Sequence, residues 1–283
     1  MVENAFLSLK TEWLEALKKA GVYAPDFELS EIIESAAGVT KARQLTTDSL
    51  TTQQRCNVEA LLGRRLLGEP LQYILGKWEF YGLPFYVGEG VLIPRADTET
   101  LVEVALKICK DKKNMLAAAD LCSGSGCVAI ALAHCLPQAR VTAAELSPLA
   151  CEYIIKNIVL NGVKNVELLQ TDVLTQGLPE NAEYDIITAN PPYICTGELA
   201  DLQKEVKREP VMALDGGADG LLFYRVLAEK NKSRLKKGGW FVFEVGDRQS
   251  KQVSEILFKA GYINVSVQND LAGFARVVYA QYI

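Results

Sequence analysis

The chain has 283 residues, 49% of them hydrophobic and 23% charged, which is typical of a soluble protein with one large domain or a large and a small one. Its formal net charge of −5 disfavours general nucleic-acid binding, because phosphate backbones attract lysine and arginine. The seven cysteines form no C-x-x-C pair and His134 is the only histidine, so we predict no zinc site and a reducing, cytoplasmic location.

The first 76 residues predict helices only. The apolar pattern from Phe6 to Leu17 stops at Gly21, a second helix is predicted over 26–37, and the longest over 51–67. That helix starts with Thr51 and Gln54 at capping-box spacing. No cluster of catalytic residue types occurs here, and we find neither a signal-peptide pattern nor a run of membrane-spanning length. We therefore expect a small helical domain over residues 1–76 that serves as a scaffold or docking surface, and no membrane association.

A linker follows this domain. Trp78 to Val87 alternates aromatic and turn residues, which predicts a hairpin, and we interpret residues 77–94 as the connection between two domains. Arg95 comes next, just before the acidic helix start Asp97-Thr98-Glu99. We expect Arg95 either to contact substrate or cofactor or to form a surface salt bridge.

The remaining chain, residues 95–283, predicts an α/β domain. From Leu116 onward strands and helices alternate, which indicates a doubly wound, Rossmann-like sheet. Strands are predicted over 116–121, 140–145, 166–170, 184–189 and 239–245, and helices over 127–136, 148–161, 199–207, 221–235 and 249–260. Two further strands, 264–268 and 276–280, are joined by a short connection, which favours an antiparallel hairpin.

A glycine-rich loop follows the first strand of this domain. Glycines between a strand and a helix let the backbone approach a ligand closely. Glu145 ends the second strand, where an acid binds ribose hydroxyls. The loop also satisfies the dinucleotide pattern G-x-G-x-x-G/A, so a nicotinamide-dependent dehydrogenase stays open on this signal. The candidate cofactor residues of the loop are Asp120, Cys122, Ser123, Gly124, Ser125 and Gly126.

Other features favour S-adenosylmethionine over a dinucleotide. Asp120 would repel a pyrophosphate but attract a ligand with a cationic end. The third strand ends before Asp172 and Val173, which we predict to meet the adenine amino group and ring. The carboxyl ends of all these strands open on one edge of the sheet, where such folds bind ligands.

The fourth strand ends in Asn190-Pro191-Pro192-Tyr193. The two prolines remove N–H donors and fix the local carbonyls, while Asn190 adds a side-chain amide and Tyr193 a flat apolar face. Together these groups could grip a small planar group that bears an NH2, a feature for which a dehydrogenase has no obvious use. We predict that Asn190, Pro191, Pro192 and Tyr193, together with Arg95, bind the substrate. Asn190, Pro191 and Tyr193 are the predicted catalytic residues, and Asn190 is also predicted to contact the cofactor.

These motifs resemble the peptide chain release factor N5-glutamine methyltransferases, the PrmC/HemK family, over nearly the whole chain. The matching segments are Gln72–Gly76, Val91–Arg95, Asp120–Ile130, Asn190–Ile194, Glu209-Pro210 with Ala213-Leu214, and Gly216–Leu221. The resemblance implies a helical N-terminal domain joined by a hairpin to a seven-stranded class I methyltransferase domain. It also implies S-adenosylmethionine as cofactor and, as substrate, the glutamine of the Gly-Gly-Gln loop of release factors, whose body the helical domain would grip.

The chain departs from the family pattern at a few positions. Ala96 and Asp97 stand where the family usually has Pro and Glu, Glu145 stands where it usually has Asp, and Phe274-Ala275 replaces a more polar pair. None of these lies in the Asn190–Tyr193 motif, so they bear on cofactor geometry more than on chemistry.

We hypothesise that the Asn190 side-chain oxygen and the Pro191 carbonyl accept the two N–H groups of the glutamine amide, while Tyr193 packs on its plane. A methyltransferase acting on amino groups of DNA or RNA bases shares this tetrapeptide, but the acidic balance and the lack of a basic recognition domain argue against it. A catalytically idle docking module is a further alternative. We expect a monomer without stably bound nucleic acid or metal.

Overall fold

The computed structural model describes residues 5–110 and 116–283. The chain falls into two compact units, Met1–Gly76 with Lys204–Arg208, and Lys77–Gln203 with Glu209–Ile283. The α-helices are α1 (Ala5–Lys19), α2 (Pro25–Ala37), α3 (Thr52–Leu66), α4 (Leu71–Leu75), α5 (Glu99–Cys109), α6 (Cys127–Cys135), α7 (Pro148–Asn161), α8 (Leu222–Lys230) and α9 (Ser250–Lys259). The strands are β1 (Lys77–Phe80), β2 (Leu83–Tyr86), β3 (Ala117–Leu121), β4 (Arg140–Glu145), β5 (Val166–Gln170), β6 (Tyr184–Ala189), β7 (Leu235–Glu244), β8 (Ile263–Asn269) and β9 (Ala275–Gln281).

The smaller unit is a helical bundle. Its longest predicted helix starts as expected, since the Thr51 hydroxyl accepts from the Gln54 amide at 3.2 Å and the Gln54 side chain accepts from the Thr51 amide at 3.0 Å. Such reciprocal capping satisfies donors that would otherwise have no partner at a helix start. Arg65 is 5% exposed and is paired with Glu28 and, at 3.0 Å, with Glu205. This explains why Lys204–Arg208 belongs to this unit.

The β1–β2 hairpin is antiparallel, as predicted. It was interpreted as a linker, but its buried residues Phe80 and Phe85 pack in the same core as Leu101 of α5 and Ile154 of α7. Asn157 of α7 also bonds to the backbone of Tyr86. The hairpin is therefore a structural part of the larger unit.

The larger unit contains a seven-stranded sheet in the order β5-β4-β3-β6-β7-β9-β8. Strands β3 to β7 are parallel where they pair, and β9 runs antiparallel to both β7 and β8. Neighbouring residues of β3 face two different cores, Ala118 packing with α5, α6 and α7 and Ala119 with α8 and α9. The predicted doubly wound sheet and its C-terminal hairpin are thus confirmed.

Two helix predictions are wrong. Residues 199–207 form no α-helix but parts of two 3-10 turns, Thr196–Asp201 and Val206–Arg208, and neither turn buries a residue. A short segment without an apolar face to bury gains too little free energy from packing to offset the cost of helix nucleation. The helix predicted over 221–235 ends at Lys230, because the buried Asn231 side chain bonds to the Leu227 carbonyl at 3.0 Å. A 3-10 turn follows, and β7 begins at Leu235, earlier than predicted.

No helix in residues 5–110 or 116–283 combines the length and apolar character needed to cross a bilayer.

Candidate functional site

The carboxyl ends of β3, β4, β5 and β6 meet at one edge of the sheet, because these strands are adjacent and parallel. A cavity opens there. The predicted site residues that line it are Arg95, Asp120, Cys122, Ser123, Gly124, Ser125, Glu145, Asp172, Val173, Asn190 and Pro192. Among the described residues that were predicted to form the site, Gly126, Pro191 and Tyr193 do not line the cavity.

Asp120, the last residue but one of β3, lines the cavity and is 2% exposed. Its carboxylate accepts from the Ser123 hydroxyl at 2.7 Å and from the Thr188 hydroxyl at 2.8 Å. Burial disfavours the charged form and raises the pKa of Asp120 to about 7, although the two hydroxyl groups oppose this shift. Asp120 is therefore a carboxylate whose charge a bound cation would stabilise.

Glu145 ends β4 and ties the glycine-rich loop to the next loop. One carboxylate oxygen accepts from the Gly124 amide at 2.8 Å, and the other accepts from the Leu146 and Ser147 amides at 2.9 and 2.8 Å. Burial raises the pKa of Glu145, while the three backbone donors lower it. The carboxylate is held rigidly at the cavity wall, and its remaining lone pairs can accept from ligand hydroxyl groups.

Asp172 follows β5 and shapes its own turn. Its oxygens accept from the Leu174 amide at 2.9 Å and from the Thr175 hydroxyl at 2.8 Å, and the hydroxyl bond lowers the pKa of Asp172. The next residue, Val173, is buried and lines the cavity. The structure thus gives Asp172 a turn-forming role as well as a position on the cavity.

The glycine-rich loop also leaves one buried polar atom available. Apart from a weak interaction with the Cys127 thiol, the Ser125 hydroxyl has no hydrogen-bond partner within the described ranges. Cys122, in the left-handed region at φ 58°, lines the same cavity, and burial raises the pKa of its thiol well above the usual value. A neutral thiol is a poor nucleophile, so Cys122 shapes the wall rather than supplying chemistry.

Asn190 lies where β6 runs into the loop at the opposite side of the cavity. Its Nδ2 donates to the Thr98 hydroxyl at 3.2 Å, and its side chain also interacts with the carboxylate of Glu244, whose pKa it lowers. Because these partners occupy the NH2 group, the Asn190 oxygen is the atom that can accept from a ligand. This is the polarity that the sequence-based hypothesis requires.

Tyr193 lies behind this loop. Its ring packs against the core of α8 and α9 and borders Gly246, where an added Cβ would lie 2.8 Å from Cδ2 of the ring. Burial raises the pKa of Tyr193 to about 12, so the phenol is neutral. Tyr193 therefore supports the loop by packing against the core, and it does not line the cavity.

The loop is clamped by residues that were not identified individually from the sequence. The Gln249 side chain donates to the Tyr193 carbonyl at 2.9 Å and to the Gly220 carbonyl at 3.2 Å. A Cβ at Gly216 would lie 2.7 Å from the Tyr193 Cα, and one at Gly220 would lie 2.4 Å from the Tyr193 carbonyl oxygen. Only glycine permits this approach of two backbones. In the sequence, the Gly-rich segment 216–221 is the signal for this close packing, but alone it indicates only the family pattern.

Arg95 is partly exposed and lines the cavity, and it forms an ion pair with Glu209. The buried Glu209 also accepts from the Ile93 amide at 3.0 Å. Arg95 thus forms a salt bridge, with a buried partner, and lies at the cavity wall, while its contact with substrate or cofactor stays a prediction. Glu209 was missed as its partner because 114 residues separate the two.

No group of three or more His, Cys, Asp or Glu side chains in the described part of the chain is arranged to hold a metal ion.

Two family models match the chain, the PrmC N-terminal domain over residues 9–76 and the methyltransferase small domain over residues 98–219. The chain is 39% identical over 259 residues to the release factor glutamine methyltransferase of Thermodesulfovibrio yellowstonii, with 90% of this chain and 91% of that one covered. It is 37% identical over 281 residues to the protein of that name from Fusobacterium nucleatum subsp. nucleatum, with 97% and 78% covered.

A solved structure similar to the larger unit is the T. thermophilus 16S rRNA N2 G1207 methyltransferase in complex with AdoMet and guanosine. The TM-score is 0.53 at 19% identity, with 73% of this chain and 50% of that one covered. At this identity the likeness concerns the fold, which is that of class I methyltransferases.

Proposed function

Since the chain belongs to the release factor glutamine methyltransferase family, we propose that it transfers a methyl group from S-adenosylmethionine to the side-chain amide nitrogen of the glutamine in the Gly-Gly-Gln motif of peptide chain release factors. One observation carries this proposal. The Asn190 Nδ2 donates to the Thr98 hydroxyl and the amide lies beside Glu244, so its oxygen is an oriented acceptor at the cofactor cavity. A carboxamide NH2 is the complementary partner.

The residues of the cavity fit this cofactor. The Asp120 carboxylate would hold the ammonium group, the Glu145 carboxylate the ribose hydroxyls, and Val173 with Asp172 the adenine. The glycine-rich loop, including Cys122 and Ser123, would cover the methionine portion, and the available Ser125 hydroxyl would find a polar partner there. When bound, S-adenosylmethionine supplies a methyl group on a positively charged sulfur and leaves as a neutral thioether.

Asn190 and Pro191 would act on the substrate amide. That nitrogen is a weak nucleophile because resonance engages its lone pair. The Asn190 oxygen and the Pro191 carbonyl accept its two N–H groups and hold the nitrogen in line with the methyl group. As the N–C bond forms and the C–S bond breaks, positive charge grows on the nitrogen, and both acceptors bind it more strongly than in the ground state. The amide proton then passes to water, so no general base is needed.

Pro192 and Tyr193 would keep these acceptors from relaxing, since the prolines fix the backbone and the loop is packed from behind. Arg95, at the cavity wall, would contact the substrate backbone as a charged donor while Glu209 holds its guanidinium in place. We assign the docking of the release factor body to residues 1–76. The protein would act as a monomer, without stable nucleic acid.

Mass spectrometry tests this proposal. A purified bacterial release factor is incubated with the protein and S-adenosylmethionine, and the peptide containing Gly-Gly-Gln is sequenced. We expect a gain of one methyl group on that glutamine, and none on a release factor with the glutamine changed to asparagine. Transfer of labelled methyl to DNA or ribosomal RNA in place of the release factor would overturn the proposal. Binding of NAD in preference to S-adenosylhomocysteine would point instead to the dehydrogenase.

A further inference from the structure

Glu244 ends β7 directly beside the Asn190 loop. Strands β6 and β7 are parallel with Ala189 opposite Phe243, so Asn190 and Glu244 are the next residues on the two neighbouring strands. Glu244 is 2% exposed, and the Thr98 and Asn190 side chains both interact with its carboxylate. Its second oxygen, Oε2, is buried without a hydrogen-bond partner within the described ranges. A buried carboxylate therefore lies in contact with the acceptor proposed to grip the substrate.

This carboxylate is costly to bury. Arg276 contributes an opposing charge, but its ion pairs join it to Asp97, Asp247 and Asp270 at 3.2–3.3 Å. Burial raises the pKa of Glu244 to about 7, while Thr98, Arg276 and Asn190 oppose this shift. A glutamine or a leucine at this position would avoid the desolvation of a charge. The placement of an acid here therefore calls for a role that needs an acceptor without a donor.

We propose that Glu244 is a positioning residue that locks the Asn190 carboxamide with its oxygen toward the cavity, an inference that rests on the proposed methyl transfer. Above pH about 7, where Glu244 is mostly ionised, its carboxylate only accepts hydrogen bonds, so it can face only the NH2 side of Asn190. Rotating that amide by a half turn would place two oxygens against each other without a hydrogen. The Asn190 oxygen is then directed toward the ligand.

Thr98 completes the arrangement. Its hydroxyl accepts from Asn190 Nδ2 at 3.2 Å and itself bonds to Glu244, so one hydroxyl serves both polar groups. Thr98 is 2% exposed, so no bulk water competes for these bonds. The negative charge of Glu244 also polarises the Asn190 amide and makes its oxygen a stronger acceptor when positive charge develops on the substrate nitrogen.

Three variants at two positions test this role. Glu244→Gln places a donor as well as an acceptor beside Asn190, so both orientations of its amide become possible. We expect kcat to fall about tenfold or more, while the Kd of S-adenosylhomocysteine changes less than about twofold. Thr98→Val, which keeps the shape but lacks the hydroxyl, should lower kcat in the same way. Thr98→Ser, which keeps the hydroxyl, should have a kcat close to that of wild type.

A nuclear magnetic resonance measurement separates positioning from stability and from the substrate assignment. In protein labelled with 15N-asparagine, the Asn190 side-chain NH2 pair, assigned by its loss in Asn190→Asp, should exchange slowly with water. In Glu244→Gln, the signals of this NH2 pair should shift and its hydrogens should exchange faster with water. The control Asp270→Asn removes another buried carboxylate, one bonded to Arg276 and to the Ala272 and Phe274 amides, and it should leave the Asn190 NH2 pair unchanged.

The outcomes distinguish the two proposals. Unchanged Asn190 signals together with kcat within about threefold of wild type in Glu244→Gln would overturn the positioning role. If wild-type protein transfers no methyl group to a release factor, the proposed substrate fails, and the Asn190 signals alone then decide whether Glu244 orients that amide.

Discussion

The two sides of the cavity are built differently. On the cofactor side, each carboxylate has partners close to it in sequence, Ser123 for Asp120 and Leu146 with Ser147 for Glu145. Each also has one longer-range partner, Thr188 for Asp120 and Gly124 for Glu145. On the substrate side, Asn190 is held by partners far along the chain. Thr98 is 92 residues away from it, and Glu244 lies on another strand. Local turns supply much of the first arrangement, whereas the side-chain partners of Asn190 come only from the completed sheet.

This difference predicts how the two sides fail. Substitutions on the cofactor side should weaken cofactor binding and leave the chemical step largely intact. Substitutions on the substrate side should lower kcat with little change in cofactor binding, because their groups matter most in the transition state. The predictions below test this separation, in order of decreasing effect.

Asn190→Ala should have the largest effect. It removes the acceptor that binds the developing positive charge, and removing one such oriented group costs about 10²–10³ in kcat. The Kd of S-adenosylhomocysteine, measured by calorimetry, should stay within about threefold, because Asp120 and Glu145 are untouched. Near-normal turnover of the release factor by this variant would refute the assignment of Asn190 as the gripping residue.

Gly216→Ala should act on the same side without removing any polar group. Its Cβ would lie 2.7 Å from the Tyr193 Cα and 2.8 Å from the Pro192 carbonyl oxygen, so the loop must move. A displacement of about 1 Å at a reacting centre costs about 10²-fold in rate, and we expect a loss of that order in kcat. Gly197→Ala is the matched control, since nothing lies within 4 Å of its added Cβ. Equal kcat values for the two variants would show that this packing does not position the site.

The contrast between the sides also explains what the sequence could reveal. The glycine-rich loop, Asp120 and Glu145 were found because strand ends and glycines are visible in short windows, and the structure places them around one cavity. Asn190 and its prolines stood out for the same reason. Short windows do not show which residues Thr98, Glu209 and Glu244 hold, even though Glu209 lies in a family-like segment, because these pairings form only in the folded domain.

The wrong helix over 199–207 has a related origin. Its sequence carries enough apolar residues to suggest a helix, but the structure divides the segment between the two units, and Lys204–Arg208 belongs to the bundle through Glu205 and Arg65. Propensity within a window cannot account for such a tertiary pairing. By contrast, the capping box at Thr51 is complete within four residues of sequence, and it was predicted correctly.

Glu145→Gln tests the cofactor side. The glutamine amide has one oxygen and one NH2 group, where glutamate has two oxygens. The NH2 group must face either the Gly124 amide or the Leu146 and Ser147 amides, so at least one hydrogen bond to a formerly charged acceptor is lost. A loss of about 2 kcal/mol corresponds to about 30-fold weaker binding of S-adenosylhomocysteine. At saturating S-adenosylmethionine, kcat should stay within about threefold of wild type. Glu229→Gln, at an exposed i,i+3 pair with Lys232, is the control for removal of one negative charge. A drop in kcat with unchanged affinity would contradict the separation of the two sides.

The smallest predicted effect is a pH dependence of cofactor binding. Because burial raises the pKa of Asp120 to about 7, this side chain becomes neutral as the pH falls below about 7 and loses its attraction for the ammonium group. Affinity for S-adenosylhomocysteine should therefore rise between pH 6 and pH 8, by at most about tenfold, since one proton is involved. Asp120→Asn should bind S-adenosylhomocysteine more weakly and without this pH dependence.

Burial also raises the pKa of Glu244 to about 7, but Glu244 serves the substrate side, so Glu244→Gln should keep the full pH dependence of binding. If Glu244→Gln abolished it and Asp120→Asn did not, the charges of the two sides would be coupled, and the division between a locally built cofactor side and an assembled substrate side would not hold.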